Sequence, residues 1–373
     1  MSPEPGPRSA PVIPFVRASG TAYEAGLCHG RALSGALRSF LDDRLARLGH
    51  LLPRPVTLEA LRPVIAAHDA VITAALPELA EEITGLAEGA GITREEAVLL
   101  QIRRELLGYR TVRTSGDCTT YARTGTGAAA APVLAQTVDL NGNLDDRLAV
   151  LDITRAGGRQ SLLLSFGGLL GYLGINNRGL AVGLNLVLGG EWRPGVPPYL
   201  AIRHLLDTAD SVADAVAIIR ELPLASSRSF MLCDRRTTAW VEVLGDEIRT
   251  MTGDRLEHTN HFLHPDLAPG DRINPFARRS SVRRLEACRR GQADLPPSAS
   301  AEDHFSLLST PPLHVPGNGD IRKERTVAAV VMLPAQGELH VRPADVPSSG
   351  TQSFRATPDA RTAPEAGVRR ARP

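Results

Sequence analysis

The chain has 373 residues, 43% of them hydrophobic and 22% charged, with a formal net charge of +1. That is enough for one large domain or two small ones. Near-neutrality removes any electrostatic pull toward nucleic acid or an anionic membrane, so neither is an expected partner. No run approaches the roughly 18 apolar residues a membrane span needs, and Met1 to Pro14 has no basic stretch leading into an apolar core, so no secretory signal is expected. Arginine does the work of lysine, which occurs only as Lys323. The four cysteines, Cys28, Cys118, Cys233 and Cys288, are scattered and form no CxxC pair. That usage points to free thiols in a reducing, cytoplasmic setting.

In chain order, residues 1–14 are Pro-rich and read as disordered. From Tyr23 to about Leu52, Leu33, Leu37, Phe40, Leu41, Leu45 and Leu48 recur at helical spacing and predict one long amphipathic helix. Leu58–Leu76 and Pro77–Ala90 predict two more, the second closing at Gly89-Ala90-Gly91. Thr93 with Glu96 three residues on is a capping box, opening a helix that runs to about Tyr109. The pattern then changes. Thr119–Arg123, Val133–Thr137, Leu148–Thr154, Ser161–Phe166, Leu173–Asn176 and Ala181–Leu186 are short β-prone runs, with a hairpin signal at Asn176-Asn177-Arg178-Gly179. Helices are predicted over Pro198–Thr208 and Ser211–Glu221. Strands resume at Ser229–Cys233, Ala239–Leu244, Ile248–Thr252 and Leu256–Thr259. A basic helix covers Phe276–Arg290, and Thr326–Leu333 with Glu338–Arg342 form a final hairpin. Residues 344–373 read as an unstructured tail. Runs of strands around a helical pair predict an α+β fold of antiparallel sheets with helices outside: a helical segment over 15–117, then a sheet-rich core over 118–343.

Cys118, in Ser115-Gly116-Asp117-Cys118-Thr119-Thr120-Tyr121, sits at the junction of these two regions. A nucleophile there suggests a new N-terminus made by cleavage of the Asp117–Cys118 bond. The freed α-amine, with an ordinary pKa near 8, would then accept the thiol proton, so nucleophile and base would belong to one residue.

Several motifs follow in order: Cys118-Thr119-Thr120-Tyr121, Gln136-Thr137-Val138-Asp139, Gly174-Ile175-Asn176-Asn177-Arg178-Gly179-Leu180-Ala181, and His258-Thr259-Asn260-His261-Phe262. With Gly20-Thr21-Ala22-Tyr23-Glu24-Ala25-Gly26 and His29-Gly30 near the start, the chain resembles the acyl-coenzyme A:6-aminopenicillanic acid acyltransferase family of cysteine N-terminal-nucleophile hydrolases, over about residues 15 to 343. The resemblance implies a four-layer αββα sandwich and a precursor that cuts itself before Cys118, its two fragments staying together as a heterodimer. It implies Cys118 as nucleophile, Asp139 as an orienting carboxylate, Asn260 as oxyanion donor and Arg325 as a cation beside the site. Tyr121, Asn176 and Ser227, with Ser226 beside it, become candidate substrate-binding residues. The substrate would be a small-molecule amide or an acyl-CoA or other acyl donor, handled without a cofactor, in a setting such as secondary metabolism. Two departures stand out: the family's penicillin-pathway enzymes carry glycine immediately before the cysteine, where this chain has Asp117, and Glu324 precedes Arg325 where serine is usual.

Two other readings remain open at this level. Cys118 paired with His258 or His261 would make an unprocessed cysteine peptidase or amidase. A non-catalytic binding protein would keep the fold alone. His258, His261 and His264 invite a zinc site, but consecutive spacing of three does not put them on one side and no cysteine pair accompanies them, so no metal is expected. Gly167-Gly168 and Gly171 lack the helix-opening pattern of a phosphate loop.

Overall fold

The computed structural model describes residues 12–109, 118–125, 131–344 and 346–357. Asp117 and Gly116, and with them the expected cut, lie outside the described residues.

The first strand, β1 (Phe15–Ser19), leads into α1 (Ala22–Asp42), which starts at a reciprocal capping box of Thr21 and Glu24. The predicted long helix ends at Asp42. Arg44, Leu45, Ala46 and Arg47 all take positive φ, between 47° and 62°, before the short α2 (Leu48–Leu51). The turn is held from outside: Arg47 donates to the carbonyls of Gly142 and Asn143 at 2.8 and 2.6 Å and pairs with Asp43 and Asp146. Helical periodicity cannot foresee a break fixed by residues a hundred positions away. Next come α3 (Leu58–Ala75), α4 (Pro77–Ala90) and α5 (Arg94–Leu107). The predicted Thr93 box is present, the Glu96 carboxylate accepting from Thr93 N–H at 2.7 Å.

Helices α1 and α4 touch backbone to backbone. A Cβ on Gly26 would sit 2.0 Å from the Glu82 carbonyl oxygen, and one on Gly85 2.1 Å from that of Tyr23; Gly30 and Gly89 repeat the pattern one turn on. Only glycine permits this approach.

The remaining elements build two sheets: β2 (Thr120–Arg123), β3 (Val133–Leu140), β4 (Leu148–Thr154), β5 (Gln160–Phe166), β6 (Leu173–Asn176), β7 (Ala181–Leu186), α6 (Pro198–Thr208), α7 (Val212–Glu221), β8 (Arg228–Cys233), β9 (Thr238–Leu244), β10 (Glu247–Gly253), β11 (Arg255–His258), α8 (Pro275–Asp294), α9 (Ala301–Leu308), β12 (Arg325–Leu333), β13 (Glu338–Pro343) and β14 (Gln352–Arg355). One sheet runs β1-β4-β5-β6-β7-β8-β9-β10, the other β11-β2-β3-β12-β13-β14. β2 and β3 lie against β7 and β8; α6 and α7 cover the outer face of the first sheet, and α8 and α9 that of the second. This is the expected αββα layering. It reflects strands buried on both faces, as their uninterrupted apolar runs require.

Three sequence expectations need correction. The N-terminal segment is not purely helical, since β1 pairs parallel with β4, so the first sheet is mixed rather than antiparallel. Residues 12–14 are ordered into that sheet's edge: Ile13 is buried and its N–H donates to the Gln352 side chain. The expected tail supplies β14, paired antiparallel with β13, and buries Ala356. Gln352–Arg355 alternates between half-buried and exposed on an edge, so it lacks the apolar run that marks a strand in sequence. Among the described residues, no helix is long and apolar enough to cross a membrane.

The α1–α4 contact predicts a sharp contrast between two glycines. Gly85→Ala forces the helices apart and should cost about 1–3 kcal/mol, lowering the denaturation midpoint. Gly35→Ala, on the open side of α1 with no atom within 4 Å of its Cβ position, should be neutral or gain up to about 1 kcal/mol. Equal effects would contradict the packing.

Candidate active site

Cys118 lies just ahead of β2, with Thr119 between, sits between the two sheets and is 3% exposed. Its carbonyl accepts two hydrogen bonds, from Asn185 Nδ2 on β7 at 2.7 Å and from Arg284 Nη1 on α8 at 3.0 Å. Its Sγ faces the Asp139 backbone N–H at 3.4 Å and the Tyr172 hydroxyl at 3.6 Å. One donor comes from the facing sheet and one from the outer helix layer, so residue 118 is held across three of the four layers. The sheets are cross-tied close by: the Gln136 amide donates to the Leu184 carbonyl at 2.9 Å and accepts from the Leu184 N–H at 3.0 Å. That amide lies over Gly183, where a Cβ would come within 2.6 Å of it.

Cys118 opens onto a cleft of about 700 Å3, its open mouth included. Asp139 at the end of β3 and Tyr172 before β6 stand beside the sulfur. Phe40 of α1, and Leu100, Arg103 and Arg104 of α5, complete the wall from the N-terminal segment. The helical region and the sheet core therefore build the site jointly. Tyr172 stacks on Tyr199 and tilts against Phe166, giving the cleft an aromatic side.

Asp139, expected as an orienting carboxylate, stands beside Cys118, its backbone N–H facing the sulfur. It is 1% exposed, and its Oδ1 accepts from the Thr326 hydroxyl at 2.6 Å. Asn260 is close to Cys118 in structure but does not line the cleft. Its Nδ2 donates to the Leu186 carbonyl at 2.9 Å and its Oδ1 accepts from Arg284 Nη2 at 2.7 Å. Its link to residue 118 runs through that shared guanidinium.

Arg325 faces elsewhere. It pairs with Asp145 and donates to Asn143 Oδ1 at 3.1 Å, a partnership set by the turn after β3. The three expected substrate-binding residues also lie off the cleft. Tyr121 is three positions from Cys118 and so points to the opposite face of its strand; its hydroxyl bonds His304 Nδ1 at 2.8 Å beneath α9. Asn176 closes the β6–β7 turn, donating to Leu206 and Ala209 carbonyls and accepting from Arg178 and Leu180 N–H groups. Ser227 donates to the Val187 carbonyl and accepts from Gly189 N–H and Trp192 Nε1. In each, a polar side chain that looked chemical satisfies buried backbone instead.

The histidines offered as bases are engaged away from Cys118. His258 bonds Glu242 through Nε2 at 2.8 Å and the Thr259 carbonyl through Nδ1 at 2.7 Å, while His261 bonds Ser281. Neither lines the cleft, so the arrangement offers no Cys–His pair there. Three residues went unnoticed in sequence. Asn185 is the one amide side chain in the apolar strand Ala181–Leu186. Arg284 lies on the buried stripe Ala277, Ser281, Arg284, Leu285, Cys288 of a helix crowded with arginines. Tyr172 carried no sequence signal.

Compared with known proteins, residues 125–344 match the model of the acyl-coenzyme A:6-aminopenicillanic acid acyl-transferase family. The chain belongs to that family. It is an enzyme of an acyltransferase family. A family relative, the 40 kDa form of acyl-coenzyme A:6-aminopenicillanic-acid-acyltransferase from Emericella nidulans, is 27% identical over 266 residues, 70% of this chain and 72% of that one. Similar solved structures include a Caenorhabditis elegans ortholog of N-acylethanolamine-hydrolyzing acid amidase (TM-score 0.44, 17% identity, 58% of this chain and 93% of that one). Another is penicillin V acylase from Agrobacterium tumefaciens (TM-score 0.44, 13% identity, 64% of this chain and 86% of that one).

Three buried histidines give a pH prediction. Desolvation pushes His261 and His304 down to about 4, and His29 to about 3, from an ordinary 6.5. Between pH 6.5 and about 4 the unfolded chain binds protons that these folded imidazoles refuse, so stability rises with pH across that window and falls on acidification. The denaturation midpoint should drop between pH 6.5 and 4.5, and His261→Asn should flatten the slope. A midpoint independent of pH there would contradict the burial.

Proposed function

We propose that the chain is a self-processing cysteine N-terminal-nucleophile enzyme that breaks a linear amide bond through an acyl-thioester on Cys118. The observation that carries this reading is the setting of one sulfur. It opens onto a cleft, faces a backbone N–H and a tyrosine hydroxyl, and belongs to a residue whose carbonyl is clamped by Asn185 and Arg284.

In processing, the thiol adds to the Asp117 carbonyl and the peptide nitrogen leaves as the Cys118 α-amine, forming a thioester. Water then hydrolyses it, freeing residues 1–117 with a new carboxylate. In turnover, the α-amine takes the thiol proton and the thiolate adds to the substrate carbonyl. Collapse of the tetrahedral adduct expels the substrate amine, which receives that proton. Water or a second amine attacks the thioester, giving an acid or a new amide and restoring the thiol. Asp139 holds the ammonium form of the α-amine between these steps. The Tyr172 hydroxyl donates to the developing oxyanion, a position in which fixed donors have their largest effect. Asn260 acts as a positioning residue, aligning Arg284 on the Cys118 carbonyl. The cleft wall supplied by Phe40 and α5 favours a mature enzyme in which the cut fragments stay associated. Penicillin-type amides of secondary metabolism, suggested by the relative's name, are a first substrate class to assay.

The reading fixes the rank of two variants. Cys118→Ala should abolish both processing and turnover, and Tyr172→Phe should lower kcat roughly 100-fold while leaving the fold intact. Amide turnover by Cys118→Ala at an unchanged rate would remove the proposal.

A further inference from the structure

Arg103 is the most buried-and-unpaired arginine on the wall of the Cys118 cleft, which it shares with Arg104 and Arg228. It is 8% exposed, on the wall of the Cys118 cleft. Its Nε–H donates to the Ala46 carbonyl at 2.7 Å, but its buried Nη2 has no hydrogen-bond partner. Three guanidinium groups surround the Phe40 ring, those of Arg47, Arg103 and Arg147, each between 5.5 and 5.8 Å from its centre. Arg47 and Arg147 both pair with Asp146. Arg103 has no carboxylate within ion-pair distance among the described residues. Neither has its neighbour Arg104, which also lines the cleft, donates to the Gly108 carbonyl and lies over Trp192. Arg228, the third arginine on the wall, is neutralised by Glu105.

A buried guanidinium without a counter-ion costs several kcal/mol at order of magnitude. Burial accordingly pushes Arg103 down to about 10, with the positive charges of Arg104 and Arg47 adding to the effect. A fold keeps such a group where something else supplies the negative charge. The planar guanidinium fork matches a carboxylate in geometry as well as in sign. The adjoining wall carries the apolar side chains of Phe40, Leu100, Leu140, Leu144 and Leu169, and the cleft's own carboxylates, Asp139 and Glu324, form no ion pair with Arg103.

We propose that Arg103, assisted by Arg104, forms an anion seat in the Cys118 cleft, so that the preferred substrate carries a carboxylate on the part that reaches α5. The inference deepens the function proposed above and rests on the cleft being the substrate site. It makes Arg103 a specificity-determining residue outside the sheets that hold the nucleophile, contributed by the segment that processing would separate from Cys118.

The test uses the full chain as Cys118→Ala, so that binding is read without turnover. Calorimetry compares N-octanoylglycine with its neutral counterpart N-octanoylglycinamide. The carboxylate should bind roughly 10-fold tighter or more, as a charge-assisted pair implies. Adding Arg103→Gln should erase that preference while the amide binds as before. Equal binding of the two compounds, binding of neither, or a preference that survives Arg103→Gln would overturn the seat. If Arg103→Gln does not fold, Arg103→Lys, which keeps the charge but not the fork, should weaken the carboxylate severalfold and leave the amide unchanged; unchanged carboxylate affinity overturns the proposal. Turnover of the same two amides by the unmodified protein reports separately on the covalent mechanism. A binding preference without turnover supports the seat and refutes the thioester reading.

Discussion

The site depends on one carbonyl oxygen. Cys118 lies two residues ahead of the first β2 residue, Thr120, a position where a chain end would ordinarily be loose. Its carbonyl is fixed by an amide from the facing sheet and a guanidinium from the outer helices. Arg284 in turn is shared with Asn260 and with the Thr119 hydroxyl at 3.1 Å. With the carbonyl fixed, the rotamers open to the side chain are few, and the sulfur is directed at Asp139 and Tyr172. Losing either donor would leave the other buried polar groups short of partners, which costs more than the bond itself contributes.

The sandwich exists to bring these donors together. β3 and β7 belong to different sheets, and the Gln136–Leu184 pair locks their spacing beside Cys118. The glycine-lined contact of α1 with α4 and the Arg47 clamp place Phe40 and α5 over the cleft. The N-terminal segment thus serves as a wall of the site, which explains why a cut at its end need not release it. Further buried ion pairs, such as Glu82 with Arg203, tie α4 to α6 and so the same segment to the sheet face.

The layers were legible in sequence because they rest on local signals: apolar strand runs, the capping box at Thr93, and glycine-bearing turns. What escaped was set by distant contacts. The break after Asp42 needs Gly142, Asn143 and Asp146; β14 is an edge strand with little apolar surface. The site was legible in part. Cys118 and Asp139 stand together as expected, and Asn260 is one guanidinium away. Arg325 was misplaced because its partner, Asp145, is chosen by the fold. Tyr121 could have been excluded by strand alternation alone, since Cys118 and Thr120 share a face that Tyr121 does not. Asn185 had a usable signal, a lone amide inside an apolar strand, whereas Arg284 was hidden among the six arginines of α8, although its buried stripe is regular.

The anion seat and the nucleophile would divide the labour of the cleft, one end choosing by charge and the other breaking the bond. The bond-breaking claim depends on Cys118 becoming the first residue of a mature fragment. The most direct measurement is the intact mass of the purified protein before and after acid-quenched mixing with an amide substrate. The account predicts two fragments meeting between Asp117 and Cys118, with the acyl mass appearing on the fragment that begins at Cys118. A single uncut chain that turns the substrate over without any acyl adduct would contradict it.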